Sequence, residues 1–273
     1  MPASLTDPSL LQLVRQYQPA EFSAGCFFPL PGLSGHSVKV ILPSATLVAR
    51  QQPLQPLPFV NRRREYRILK KLSASGLVAA PLGGNSRWLL SAWQPGEVFS
   101  PQQFSQQYRQ ICRTLLHLHR QPLTGYPVSV SVLLEQYWQL CRQRTHHWLK
   151  HWQRLQLRGE PAPLRLAPLH MDIHAGNLLS DREGCHFIDW EYAADGDIAI
   201  DLAIICLNDP QYEMRWITAY AQAAAVDRQL LQRQVQRWKP WLKLLMACWY
   251  QLRAEQTASP QMNTLARQSW QDL

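Results

Sequence analysis

The chain has 273 residues, 46% of them hydrophobic and 17% charged, which excludes wholesale disorder and leaves length for two lobes. Lys and Arg number 28 against 19 Asp and Glu, a net charge of +9; that balance admits an anionic partner such as nucleic acid, a membrane surface or a phosphorylated ligand, but selects none. The six cysteines are scattered without a CxxC pair, which argues for thiols in a reducing compartment and against a disulfide framework or zinc site. The N-terminal MPASLTDPSLLQLVRQY lacks the basic and apolar regions of a secretory signal, and the best apolar run, Ile198 to Cys206, is short and interrupted by Asp201. A soluble, cytoplasmic protein with no membrane partner is expected.

No internal repeat with a period of about 20 to 50 residues is found, which sets solenoids and propellers aside. Val38–Leu42 and Thr46–Arg50, separated by Pro43-Ser44-Ala45, predict a hairpin. After Pro53, Pro56 and Pro58, the spacing of Tyr66, Ile68, Leu69 and Leu72 predicts a helix over 61–72. Its cations, Arg62, Arg63, Arg64, Arg67, Lys70 and Lys71, read as a solvated face in preference to a nucleic-acid patch. A strand over 87–93 ends at Gln94-Pro95-Gly96. Beyond it Phe104, Tyr108, Ile111, Leu115 and Leu118 form one helical stripe, with Ser100 and Pro101 as cap and first turn. A second helical region runs from Leu133 to about Leu157, and the pattern is helical again after Asp201. Only 164–190 breaks that texture, with short apolar runs around a polar segment. The expected class is α+β, with a β-rich lobe over 1–95 and a larger helical lobe over 96–273. His117 with His119, and His147 with His151, lack an accompanying Glu or Cys frame and read as surface or packing residues. The eleven tryptophans read mostly as core and lobe-interface material.

One constellation carries chemistry. His170-Met171-Asp172-Ile173-His174-Ala175-Gly176-Asn177 has the spacing H-x-D-x-x-x-x-N, and Asp189 follows twelve positions later, just after Phe187-Ile188. Phosphoryl transfer from ATP asks mainly for positioning and charge neutralisation. It uses a carboxylate to orient the acceptor hydroxyl and take its proton, a role that fits Asp172. It also uses hard oxygen donors for Mg²⁺, which fits Asn177 and Asp189. Protein kinases have the same Asp-to-Asn step and a later metal aspartate. A turn closed by Asp172 and Asn177, with Asp189 capping a helix, explains each residue singly but not all three in register.

These residues resemble the aminoglycoside phosphotransferase and choline kinase family, which has the protein-kinase fold. Its pattern H-x-D-x-H-x-x-N, I-D-[WF]-E, G-D-x-x-x-D-L-A is matched by His170–Asn177, Ile188–Glu191 and Gly196–Ala203. Pro163–Leu178 and Ile188–Ala199 are most similar to the bacterial branch that phosphorylates thiamine. The resemblance thus implies an ATP- and Mg²⁺-dependent kinase making thiamine monophosphate for salvage, acting on a small molecule, with no nucleic-acid partner and a monomer as the default. Aminoglycoside or choline/ethanolamine phosphorylation is the alternative, and an inactive kinase-like module that binds nucleic acid a remote one. Gly32-Leu33-Ser34-Gly35-His36-Ser37, before a predicted strand, is the candidate phosphate-covering loop through Gly32, Ser34, Gly35 and Ser37; by itself it reads equally as a hairpin turn. Arg50 stands where protein kinases have lysine and is able to contact phosphate bidentately; Glu65 is its candidate partner, or one acid on an exposed basic helix. His170 and His174 are expected to hold the loop by hydrogen bonds, with Asp201 anchoring it. By the resemblance, Glu191 and Tyr192, and more approximately Trp238, Trp241 and Trp249, are expected to hold a cationic substrate through charge and aromatic faces.

Overall fold

The computed structural model describes residues 7–30, 37–182 and 184–273. They gather into two units, the first running to Val98 and including Asn177–Ala193, the second comprising Phe99–Gly176 and Ala194–Leu273.

The first unit holds a helix α1 (Pro8–Tyr17), strands β1 (Cys26–Leu30), β2 (Ser37–Ile41) and β3 (Thr46–Gln51), a helix α2 (Arg62–Leu72), and strands β4 (Pro81–Gly84) and β5 (Trp88–Ala92). The strands form an antiparallel sheet in the order β1-β2-β3-β5-β4. Burial alternates strictly along β3, the period-two signature of a sheet with one face on a core. Leu47 and Ala49 join Val38, Val40, Trp88 and Leu90 beneath Leu10, Leu13 and Val14 of α1. The alternation sends Arg50 to the opposite face, paired in register with Ser37. Helix α1 carries its own start signal: the Asp7 side chain accepts from Ser9 N at 2.8 Å with Pro8 in the first turn. The cap of α2 is Asn61, whose side chain accepts from Arg64 N at 3.0 Å.

A second, three-stranded sheet pairs Leu178–Ser180 with both Glu97–Val98 and Cys185–Phe187. This ladder ties 177–193 to the first unit, whereas a division at residues 95/96 assigns that segment to the helical lobe.

The second unit is helical: α3 (Pro101–Gln106), α4 (Tyr108–His119), α5 (Val130–Leu140), α6 (His146–Arg158), α7 (Ile198–Asn208), α8 (Glu213–Ala224), α9 (Arg228–Thr257) and α10 (Pro260–Gln271). Ser100 and Gln103 close a capping box at α3. The stripe from Phe104 to Leu118 belongs to two helices, because Gln107 leaves helical geometry at φ −90°, ψ 21°. The region from Leu133 to Leu157 likewise divides, with α6 restarted by its Thr145 cap. Helix α7 is buried all round through Cys206, and α9 packs against α5, α7, α8 and α10. Trp138 packs against Trp148 and Trp152, and Trp148 against Trp270, with ring centroids 5.2–5.6 Å apart. Among the described residues no disulfide links the six cysteines, five of which are buried. Burial pushes the thiols of Cys112, Cys141 and Cys206 up to about 12. Among the described residues no helix is long and apolar enough to cross a membrane.

A short antiparallel pair, Leu166–Leu169 with Ala194–Asp197, enters and leaves the region of the motif. Within it Asp195 is a buried acceptor: Oδ1 takes Thr124 N (2.8 Å) and Oγ1 (2.9 Å), and Oδ2 takes Gly125 N (2.6 Å) and Tyr126 N (3.1 Å). Asp195→Ala leaves these donors unmet, so urea denaturation is expected to register a loss of about 3 kcal/mol. A loss below about 1 kcal/mol would mean that water replaces the carboxylate.

Candidate active site

The loop carrying Asp172 is held by the second unit's core. Asp201, in the first turn of α7 and fully buried, accepts from His170 N at 2.9 Å and Met171 N at 2.8 Å. Its Oδ2 also lies 3.2 Å from His119 Nε2, while His119 Nδ1 meets the Tyr220 hydroxyl at 2.6 Å. His119 is thus a buried support of this loop, which its sequence neighbourhood did not reveal. Asn208, at the end of α7, donates to Ile173 O at 3.1 Å. Met171 has φ +68°, a conformation a non-glycine residue keeps only where its surroundings over-determine it. The side chain that follows, Asp172, is 36% exposed between the buried His170 and Ile173. His174 Nδ1 accepts from Gly176 N at 3.1 Å, so a neutral ring carries its proton on Nε2, 3.8 Å from Asp172 Oδ2. A Cβ at Gly176 would stand 2.9 Å from His174 Cε1, so a side chain there would displace the ring.

Aromatic groups from α9 divide into two sets. Tyr250 is near Asp172: burial and then the charge of Asp172 raise its hydroxyl pKa, and Trp249 packs edge-on against it at 5.0 Å. Trp238 and Trp241 are only 3% and 2% exposed. The Trp238 indole N–H donates to Asp197 Oδ2 at 2.8 Å, beside Gln234 Nε2 at 2.6 Å. These two rings are therefore core supports and present no accessible face to a ligand, a correction to the expectation above.

The first unit gathers the charged residues. Asn177 O accepts from Ile188 N at 3.0 Å, and Leu178 pairs with Phe187, so the hairpin brings Asn177 alongside Asp189. Asp189 has φ +66°, and its carboxylate pairs with Arg50. Arg50 also reaches Glu65 Oε1 (3.1 Å) and Glu191 Oε2 (3.3 Å). Burial opposes the Arg50 charge, but Asp189, Glu65 and Glu191 together outweigh it and hold the guanidinium firmly protonated. For Glu191 burial, reinforced by Asp189, raises the pKa against the pull of Arg50 and Arg62.

Two expectations are corrected here. Arg62 is no solvated cation: it is 3% exposed, with Nη1 2.6 Å from Glu65 Oε2 and 3.0 Å from Glu191 Oε2, and Nε donating to Gln51 O at 3.0 Å. Arg64 donates to Glu191 O at 2.7 Å and stacks 3.5 Å over the Phe59 ring. The first turn of α2 faces inward, so the basic run splits between core and surface. Glu191 is 1% exposed and turned into the arginines, so it offers no accessible charge to a cationic substrate; Tyr192 beside it is half-buried. Gly32, Ser34 and Gly35 lie outside the described residues.

Among the described residues no three His, Cys, Asp or Glu side chains gather as a self-sufficient metal centre. The donor set suits Mg²⁺ nonetheless, since that ion is commonly bound by one or two protein oxygens and completed by nucleotide phosphates and water. Asp189 provides a carboxylate that is 30% exposed and Asn177 an amide.

An antiparallel sheet with a buried arginine–glutamate pair, and a helical unit presenting an aspartate on a loop anchored from below, define a kinase-like fold. The family model described as "Phosphotransferase enzyme family" matches residues 29–252, and the chain belongs to that family. It is 37% identical to a thiamine kinase of Salmonella paratyphi C and to one of Salmonella typhimurium strain LT2, over 98% of this chain and 94% of each relative. In structure it resembles a choline/ethanolamine kinase family protein of Mesorhizobium loti (TM-score 0.76, 18% identity, 98% of this chain and 93% of that one). An ethanolamine kinase of Plasmodium vivax is similarly close (TM-score 0.77, 16% identity, 96% and 86%). The chain is an enzyme of phosphoryl transfer.

Proposed function

We propose that this phosphotransferase moves the γ-phosphoryl group of ATP to the hydroxyethyl oxygen of thiamine, making thiamine monophosphate in the cytoplasm as a salvage reaction. The observation that carries the reading is identity of 37% to proteins named thiamine kinase across 98% of the chain. In this reading Asp172 orients the hydroxyl and accepts its proton as the O–P bond forms, while His174 and Asp201 hold the loop. Arg50 binds phosphate oxygens, assisted by the Gly32–Ser37 segment. Asn177 and Asp189 would hold Mg²⁺, which when bound neutralises charge on the β- and γ-phosphates. Tyr250 and Trp249 supply an aromatic face toward a flat thiazolium cation, whose charge also favours the neighbourhood of Asp172. The reaction needs neither nucleic acid nor a second subunit.

An ATP-consumption panel with thiamine, choline, ethanolamine and kanamycin, each with and without Mg²⁺, tests this. Thiamine is expected to be preferred in kcat/KM by about 100-fold or more, with turnover lost without the metal. Efficient phosphorylation of choline or kanamycin, with thiamine untouched, would overturn it.

A further inference from the structure

Within the first unit Glu65 divides its carboxylate, Oε1 to Arg50 at 3.1 Å and Oε2 to Arg62 at 2.6 Å. Glu191 Oε2 lies between the same two guanidiniums, at 3.3 and 3.0 Å. Asp189 pairs with Arg50. The five groups carry two positive and three negative charges. On the phosphotransfer reading, nucleotide binding takes Arg50 toward phosphate and Asp189 toward the metal. Glu65 and Glu191, each 1% exposed, would then lose a counter-ion in a site where unpaired charge is heavily penalised. Arg62 remains with both. Its Nε bond to the carbonyl of Gln51, the residue after Arg50, fixes it to the end of β3.

We propose that Arg62 is a positioning residue, the standing counter-ion of Glu65 and Glu191 that lets Arg50 exchange carboxylates for nucleotide phosphate. Without Arg62, Arg50 is the cation both glutamates must share, and the conformation competent for nucleotide becomes the minor one. Apparent affinity falls in proportion to its population. The acceptor side has no stake in this exchange.

The test is calorimetric titration of the full chain with ATP and Mg²⁺, alongside thermal melting and thiamine kinetics. Arg62→Met is expected to raise Kd for ATP at least about tenfold and to leave KM for thiamine within about twofold. Adding Glu191→Gln to Arg62→Met leaves Glu65 as the one buried glutamate that still needs Arg50, and is expected to lower Kd at least about threefold from that of Arg62→Met. Should Arg62→Met fail to fold, Arg62→Lys keeps the charge without the Gln51 bond and is expected to weaken ATP binding by less than about threefold. Unchanged ATP affinity in Arg62→Met, no recovery in the double variant, or a tenfold loss in Arg62→Lys would each refute the role. Wild-type protein that fails to bind ATP would instead sink the phosphotransfer reading itself.

Discussion

Asp172→Asn is expected to lower turnover by a factor of 10² or more while leaving ATP affinity within about twofold. Asparagine keeps the side-chain shape and an oxygen toward His174, so the loop should survive. Its geometry is set from outside the residue, by Asp201 on the backbone of His170 and Met171 and by Asn208 on Ile173. What the substitution removes is the ability to take a proton, at a side chain 36% exposed between the buried His170 and Ile173. If Asp172 only closed a turn, the purified variant would turn over like wild type and melt earlier. Steady-state kinetics beside a melting curve separate the two outcomes.

The loop was legible in the sequence because its chemistry is local. H-x-D-x-x-x-x-N and I-D-W-E are contiguous runs, and their spacing alone singles out Asp172, Asn177 and Asp189. The hairpin was legible for a similar reason, since Val38–Leu42 and Thr46–Arg50 flank Pro43-Ser44-Ala45, a break of hairpin length. Electrostatic wiring was less so. Composition makes Arg62, Arg63 and Arg64 look alike, yet Arg62 is nearly fully buried, and what distinguishes it is a carboxylate 129 positions away at Glu191. His119 likewise acquires its place from Asp201 and Tyr220, 82 and 101 positions on. No window of sequence contains such pairs. The break at Gln107 was hidden differently: the apolar stripe continues through it in register, so periodicity reports one helix where the backbone makes two.

Burial decides the aromatic expectation for two of its rings. Trp238 and Trp241 suit a cation by residue type, but a face that packs against the core has no room for one, and the Trp238 N–H is committed to Asp197. Trp249 and Tyr250, more than two helical turns beyond, are the half-buried aromatic residues of the same helix. The net charge of +9 would mislead in the same manner, since a cationic acceptor responds to the field around Asp172 and not to the sum over the chain.

Asp189→Ala is expected to abolish metal-dependent ATP binding and to cut turnover at least about 10³-fold, because the carboxylate would act on bound nucleotide before as well as during transfer. The unliganded fold is expected to lose less than about 1 kcal/mol. Alanine at φ +66° costs something in the left-handed region, but the substitution also removes the carboxylate that, after burial, does most to raise the Glu191 pKa. Arg50 retains Glu65 and Glu191, and the cluster passes from a net charge of −1 to neutrality. Function and stability therefore separate at this position, unlike Asp195, where the same substitution leaves buried donors unmet. Calorimetric titration with ATP and Mg²⁺ gives the first quantity and urea denaturation the second. Wild-type binding in the titration would assign the metal to another residue, and a stability loss above about 3 kcal/mol would make Asp189 a structural member of the ion cluster.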